Sequence, residues 1–249
     1  VKLVAPVIFA LILAAGCHKS EPILSLLVWE GYADPSFIRP FEARCRCKVS
    51  AAYMGSSDEL IAKLRGGTLS NYDVISPSSD VAATMITAGL AAPLDLAKIP
   101  SYDSLMPVLT SLPLVKNQGN VYGVPFQWGP NPLLYDTTGF KTAPNSWSVL
   151  WEPTLRGKVS VWDDLSTVYM TAQVLGYDRP DPGAIYNLTD DQLAKVKAKL
   201  LELKPNIRKM WSTAGELTSL FESHQISIAM GWPLMTSQLQ ARHFPIAET

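Results

Sequence analysis

The chain has 249 residues, 47% hydrophobic and 17% charged, which is enough apolar material for one large or two medium globular domains. A net charge of −1, with no basic block and no Lys/Arg stripe interleaved with aromatics, excludes a nucleic-acid footprint. Three cysteines and three histidines show no metal-ligand spacing, so a metal centre is not expected.

At the start of the chain Lys2 precedes an uncharged run from Leu3 to Gly16. The run is too short to cross about 30 Å of hydrocarbon as a helix and reads as the apolar part of an export signal, residues 1–16. It closes in Leu13-Ala14-Ala15-Gly16-Cys17, which resembles the lipobox of bacterial lipoproteins. That resemblance implies acylation of Cys17, with residues 17–22 as a tether; simple secretion is the alternative.

The first strand is expected at Ile23 to Trp29, followed by Glu30-Gly31-Tyr32 and a helix from Pro35 to Arg44 with Asp34 as its N-cap. Pro40 removes a backbone donor inside that helix. Cys45 and Cys47 lie too close in sequence for an easy disulfide and are expected to be incidental. A strand at Lys48 to Tyr53 leads to Ser56-Ser57-Asp58-Glu59, a capping box in which Ser56 and Glu59 satisfy each other's free backbone donors. That helix stops at Gly66-Gly67. The next strand, Tyr72 to Ser76, ends at Pro77-Ser78-Ser79-Asp80 and starts a helix that Gly89 closes. Strands alternating with single helices predict a parallel, doubly wound sheet.

From Ala92 to Gln118 the pattern loosens into a proline-rich connection, and Gln118-Gly119-Asn120 turns the chain into Val121 to Phe126. A strand is expected at Leu133 to Tyr135. Further elements are a short helix around Ser146 to Trp151, a strand at Val159 to Trp162 and a helix from Ser166 to Leu175. After Thr189-Asp190-Asp191-Gln192, another capping box, a helix presents Leu193, Val196, Leu200 and Leu203 on one face. Strands at Ile207 to Trp211 and Ile226 to Met230 flank a helix begun by Thr213 to Glu216, and Pro233 opens a last helix reaching Arg242. The division expected is a first lobe at 23–125, a second at 126–232, and a return towards the first lobe beginning in 233–249.

Trp29, Trp162, Trp211 and Trp232 each stand at or just beyond the end of an expected strand. In open α/β sheets ligands bind in the crevice outside the carboxyl ends of the strands. Tryptophans often simply pack in cores, but a core indole has no reason to prefer the end of a strand over its middle. Alongside them stand Tyr32, Glu30, Asp80, Asp163 and Asp164. Indole faces attract cations and carboxylates bind ammonium groups, so the implied ligand is a small organic cation. The acids Asp80 and Asp164 could equally serve as helix caps. The chain carries no Gly-rich phosphate loop, His-Glu-x-x-His motif or Gly-x-Ser-x-Gly elbow, and no cofactor is implied.

From Ile23 to about Pro245 the sequence resembles the spermidine/putrescine-binding family of bacterial solute-binding proteins, the receptors of ABC transporters. The resemblance is carried by Val28-Trp29-Glu30-Gly31-Tyr32-Ala33-Asp34-Pro35, Tyr72-Asp73-Val74 with Pro77-Ser78, Tyr122-Gly123-Val124-Pro125 with Trp128-Gly129, Gly157-Lys158-Val159, Asp163-Asp164, Leu203-Lys204-Pro205-Asn206 and Gly231-Trp232. It implies a periplasmic-binding-protein-like (type II) α/β fold, with two doubly wound lobes and a cleft between them. It further implies a non-catalytic receptor at the periplasm or cell-envelope surface, handing a polyamine-like cation to a membrane permease; the lipobox at Cys17 implies that an N-terminal lipid holds it to the membrane. By the same resemblance Trp29, Tyr32 and Trp232 are aromatic walls, Ser78 and Ser212 polar contacts, and Asp164 an amine-binding acid. Departures occur at Gly31, where the family has an acid and this chain carries Glu30 one place earlier, at Asp80 in place of an aromatic, and at Thr167 in place of a second acid. They motivate another small organic solute as the alternative ligand, and an exported enzyme on the same fold as a more distant one. Set against the family pattern, the chain reads as truncated at Thr249.

Overall fold

The computed structural model describes residues 21–112 and 115–249; the expected signal at 1–16 and Cys17 lie outside the described residues. Strand β1 (Ile23–Trp29) is buried over its last four residues. This is the pattern of a central parallel strand covered on both faces. It pairs in parallel with β2 (Lys48–Met54) along its whole length, from Ile23 opposite Lys48 to Trp29 opposite Met54. On its other side it pairs with β3 (Val74–Ile75), so the first sheet has the order β2-β1-β3. The strand expected at Tyr72 to Ser76 is shortened because Asp73 accepts from the Ser25 N–H with its carboxylate, at 2.8 Å, where a ladder would use a carbonyl.

Helix α1 (Pro35–Cys45) begins as expected: the Asp34 carboxylate accepts from Ser36 N–H at 2.8 Å and Pro35 occupies the first turn, where its missing N–H costs nothing. Pro40 is accommodated inside it. The helix ends at Arg46, whose backbone is left-handed at φ 55°. That turn brings the Cα atoms of Cys45 and Cys47 to 5.3 Å, and the two are joined in a disulfide, so they are not incidental.

Helix α2 (Ser57–Arg65) has half of its expected capping box. Ser56 Oγ accepts from Glu59 N–H at 3.1 Å, but Glu59 Oε2 accepts from Gly55 N–H, one residue earlier than Ser56. Helix α3 (Ser79–Thr87) follows, and the loose connection after it holds short 3-10 turns and α4 (Pro107–Thr110). A two-residue turn with positive φ at Gln118 and Gly119 joins β4 (Lys116–Asn117) to β5 (Asn120–Val121). Of the stretch Val121 to Phe126 that follows this turn, only the first residue is in a ladder.

The second sheet is mixed, in the order β10-β6-β9-β7-β8. Its strands are β6 (Leu133–Asp136), β7 (Val159–Trp162), β8 (Ile207–Trp211), β9 (Ile228–Met230) and β10 (Ile246–Glu248). Strand β7 runs parallel to both β8 and β9, whereas β6 is antiparallel to β9 and β10. Helices α5 (Leu165–Val174), α6 (Asp190–Leu203), α7 (Ala214–Glu222) and α8 (Pro233–Ala241) complete the second half. Residues 246–248 therefore hydrogen-bond into the second sheet, Ile246 opposite Asp136, and do not at that point join the first. The short helix expected at Ser146 to Trp151 is a 3-10 turn, Trp147–Trp151, capped by Ser146. On α6 the Thr189/Gln192 capping box is reciprocal, at 2.9 and 3.3 Å. Val196 and Leu203 are buried as expected, but Leu193, in the first turn of the helix, is 48% exposed.

One buried cluster runs through both halves, from Leu27, Leu60 and Met85 by way of Trp29 to Val161, Leu217 and Ile228. Among the described residues no helix is long and apolar enough to cross a membrane, and no three His, Cys, Asp or Glu side chains are grouped to hold a metal ion.

Candidate ligand cleft between the two sheets

The four strand-end tryptophans meet. Strands β7 and β8 are parallel with Trp162 and Trp211 as register partners. Neighbouring strands lie about 4.8 Å apart, and the two indoles stack accordingly, with centroids 5.2 Å apart and planes 4° from parallel. Strand β9 lies on the other side of β7, so Trp232, two residues past its end, comes edge-on to both rings, at 4.9 Å from Trp162 and 5.0 Å from Trp211. Trp29 arrives from the first sheet and meets Trp162 at 5.5 Å and Trp232 at 6.2 Å, both edge-to-face. Such pairs contribute about 0.5–1.5 kcal/mol each beyond area burial. Two indole N–H groups are satisfied within the fold: Trp211 Nε1 donates to Met230 O, and Trp162 Nε1 donates across the cleft to Gly55 O, both at 2.8 Å.

Three of the expected acids, Glu30, Asp80 and Asp164, bridge the two lobes. Glu30 Oε2 accepts from Ala214 N–H at 3.1 Å, at the start of α7. Asp164, 8% exposed, accepts from Ser57 N–H at 2.8 Å with Oδ2, at the start of α2. With Oδ1 it caps its own helix α5 through the N–H and hydroxyl of Ser166. Each lobe thus sets a carboxylate on the positive end of a helix in the other. Asp80, in the first turn of α3, accepts from the Tyr169 hydroxyl on α5 at 2.8 Å. Burial, that hydrogen bond and the charges of Asp80 and Asp164 together hold the Tyr169 phenol far above the ordinary tyrosine range.

The other predicted residues are placed as follows. Ser78 shares a hydrogen bond of 3.2 Å with Ser57, which binds Asp164, so it belongs to the same polar corner. The backbone carbonyl of Ser212 touches Gly55, where an added Cβ would come to 2.5 Å from it. Ser212 N–H is taken by Glu216, an off-by-one capping box like that of Glu59. Tyr32 packs on Phe126, centroids 5.1 Å apart, with Phe37 beyond it; desolvation raises its pKa. It is thus grouped with an aromatic pair beside the indole cluster. Asp163 is exposed. Tyr169, Gly55 and Phe126 had no distinguishing pattern in the sequence; a tyrosine four residues into a helix is a common core residue.

Chemically, the arrangement offers π faces, carboxylates and hydroxyls from both lobes, with the lobes closed upon each other. A family model described as bacterial extracellular solute-binding protein matches residues 36–247. The putrescine-binding periplasmic protein PotF of Escherichia coli is 29% identical over 85% of this chain and 58% of its own length. Spermidine/putrescine-binding periplasmic protein 1 of Haemophilus influenzae is 27% identical over 83% of this chain and 56% of its own. The chain thus spans somewhat more than half the length of these curated relatives. Among solved structures, the TpPotD lipoprotein of Treponema pallidum superimposes with a TM-score of 0.73 at 23% identity, covering 91% of this chain and 69% of the other. The fold of the described chain is the two-lobed α/β fold of type II periplasmic binding proteins.

Proposed function

Because the chain belongs to the bacterial extracellular solute-binding protein family, we propose that it is the exported receptor of an ABC transporter, capturing a putrescine- or spermidine-like cation and delivering it to a membrane permease. The convergence of Trp29, Trp162, Trp211 and Trp232 from the two sheets, ringed by Glu30, Asp80 and Asp164, carries this reading. Trp29 and Trp232 are the two walls, Tyr32, Ser78 and Ser212 line the approach, and the acids supply the charge. A cation is attracted when it sits over an indole face within about 6 Å of the ring centroid. Trp29 and Trp232 touch each other here, so the ligand enters an opened form and the lobes close on it by hinge bending. The lobes are taken as 23–125 and 126–232. No chemical step is assigned, and the protein acts by binding alone.

Acylation of Cys17 places the receptor on a membrane at the periplasmic or outer face of the envelope, where one chain alone binds only marginally and two or more hold firmly. The names of the relatives support a polyamine as ligand. The alternative, another small organic solute, is favoured by Gly31 and Thr167. Gly31 has φ +89° with Leu234 against it, a position where an acidic side chain is strained, and Thr167 is buried with its hydroxyl donated to Trp162 O. Titration calorimetry of the full-length protein with putrescine, spermidine and a panel of amino acids and sugars decides between them. Binding of putrescine or spermidine below about 10 μM is expected; binding of a neutral solute in their place rejects the polyamine reading.

A further inference from the structure

Not all of the cleft's carboxylates have room for a ligand. A carboxylate offers about four lone-pair positions, and Asp164 commits three of them to Ser57 N–H, Ser166 N–H and Ser166 Oγ. Glu30 is turned to the start of α7. Asp80 is only partly buried, and among the described residues its one hydrogen-bond donor is the Tyr169 hydroxyl. A phenol that gives its hydrogen to a carboxylate keeps oxygen lone pairs for another donor. The Tyr169 ring is held edge-on by Tyr186, with centroids 4.8 Å apart, which sets the direction of its oxygen. That oxygen stays protonated, since burial, the hydrogen bond to Asp80 and the charges of both neighbouring acids oppose its ionisation.

We propose that Tyr169 is a ligand-contacting, specificity-determining residue: its oxygen accepts an N–H of the ligand's ammonium group, while Asp80, bound to the same hydroxyl, supplies the compensating charge. The inference rests on the receptor reading above and names the residues that read the amine. Asp164 then serves chiefly to join the lobes. A purely mechanical bond between α3 and α5 would favour closure over any ligand alike. Recognition by a phenol backed by a carboxylate favours ligands that bring a positively charged N–H over those that bring a neutral hydroxyl.

The test uses the full-length protein and two probes of similar length, putrescine and 1,4-butanediol, with the weaker one measured by displacement. Tyr169→Phe keeps the ring and its packing on Tyr186, and Asp80→Asn keeps an acceptor oxygen without charge. Each is expected to lower putrescine affinity about tenfold and leave the diol within twofold, and the double variant is expected to lose less than the product of the two. A putrescine loss under twofold in Tyr169→Phe, or equal fold losses for diamine and diol, overturns the proposal and leaves the pair as a latch. A wild-type protein that binds neither putrescine nor spermidine overturns the polyamine reading as well, so the two failures are told apart.

Discussion

Asp164 and Ser57 stand 107 positions apart in the chain and on different lobes, yet the carboxylate of one accepts the backbone N–H of the other at 2.8 Å. The same helix α5 that Asp164 caps carries Tyr169 to Asp80. Closure of the cleft is therefore built on polar groups with defined directions as well as on the tryptophan cluster, and this makes it sensitive to small steric changes at the seam.

Gly55 is the sharpest case. An added Cβ would lie 2.5 Å from the Ser212 carbonyl oxygen, a backbone atom with no side-chain freedom to yield. Gly55→Ala is expected to hold the lobes apart and to weaken ligand binding at least tenfold, with little change in the stability of either lobe. Small-angle scattering with and without ligand checks this; a variant that compacts like the wild type refutes it.

Trp211 is fully buried, stacked on Trp162 and hydrogen-bonded to Met230 O, whereas Trp128 is 78% exposed. Trp211→Ala is expected to cost about 3–5 kcal/mol of folding stability. Trp128→Ala is expected to stay within about 0.5 kcal/mol. Urea denaturation monitored by circular dichroism gives both values, and similar losses for the two variants contradict the described packing.

Glu216 has its pKa lowered, chiefly by the hydrogen bond from Lys209 and also by the Ser212 N–H, against opposing desolvation. A depressed folded-state pKa contributes stability that is present above the unfolded carboxylate value of about 4.3 and is lost as pH falls through the folded value. Lys209 is more than half exposed, so the contribution is screened and amounts to about 0.2–1 kcal/mol. Lys209→Met is therefore expected to destabilise the protein slightly at pH 7 and less at pH 3. Denaturation at the two pH values tests it, and a loss of equal size at pH 3 assigns the effect to packing.

The anchor is tested at Cys17. Cys17→Ala is expected to abolish incorporation of labelled fatty acid and to release the protein from membranes, as two or more acyl signals are needed for firm attachment. Undiminished labelling of the variant removes Cys17 as the acylation site.

Local chemistry was enough to place most elements from residues alone. Asp34 and Pro35 begin α1, Thr189 and Gln192 box the start of α6, and the indoles at the ends of β1, β7 and β8 announced a shared crevice, because each signal acts over a few neighbouring residues. Tertiary structure alone decided who meets whom across the seam. Glu30, Asp80 and Asp164 read as ligand acids in the sequence, the last two equally as helix caps, and only the approach of the two lobes sets them against Ala214, Tyr169 and Ser57. Tyr169 and Gly55 carried no signal, since a tyrosine inside a helix and a glycine before one are ordinary until a partner from another lobe arrives. The Cys45–Cys47 bond depends on the left-handed turn at Arg46, and β10 on the antiparallel edge that β6 offers. Both are matters of geometry between segments, to which residue spacing along the chain is blind.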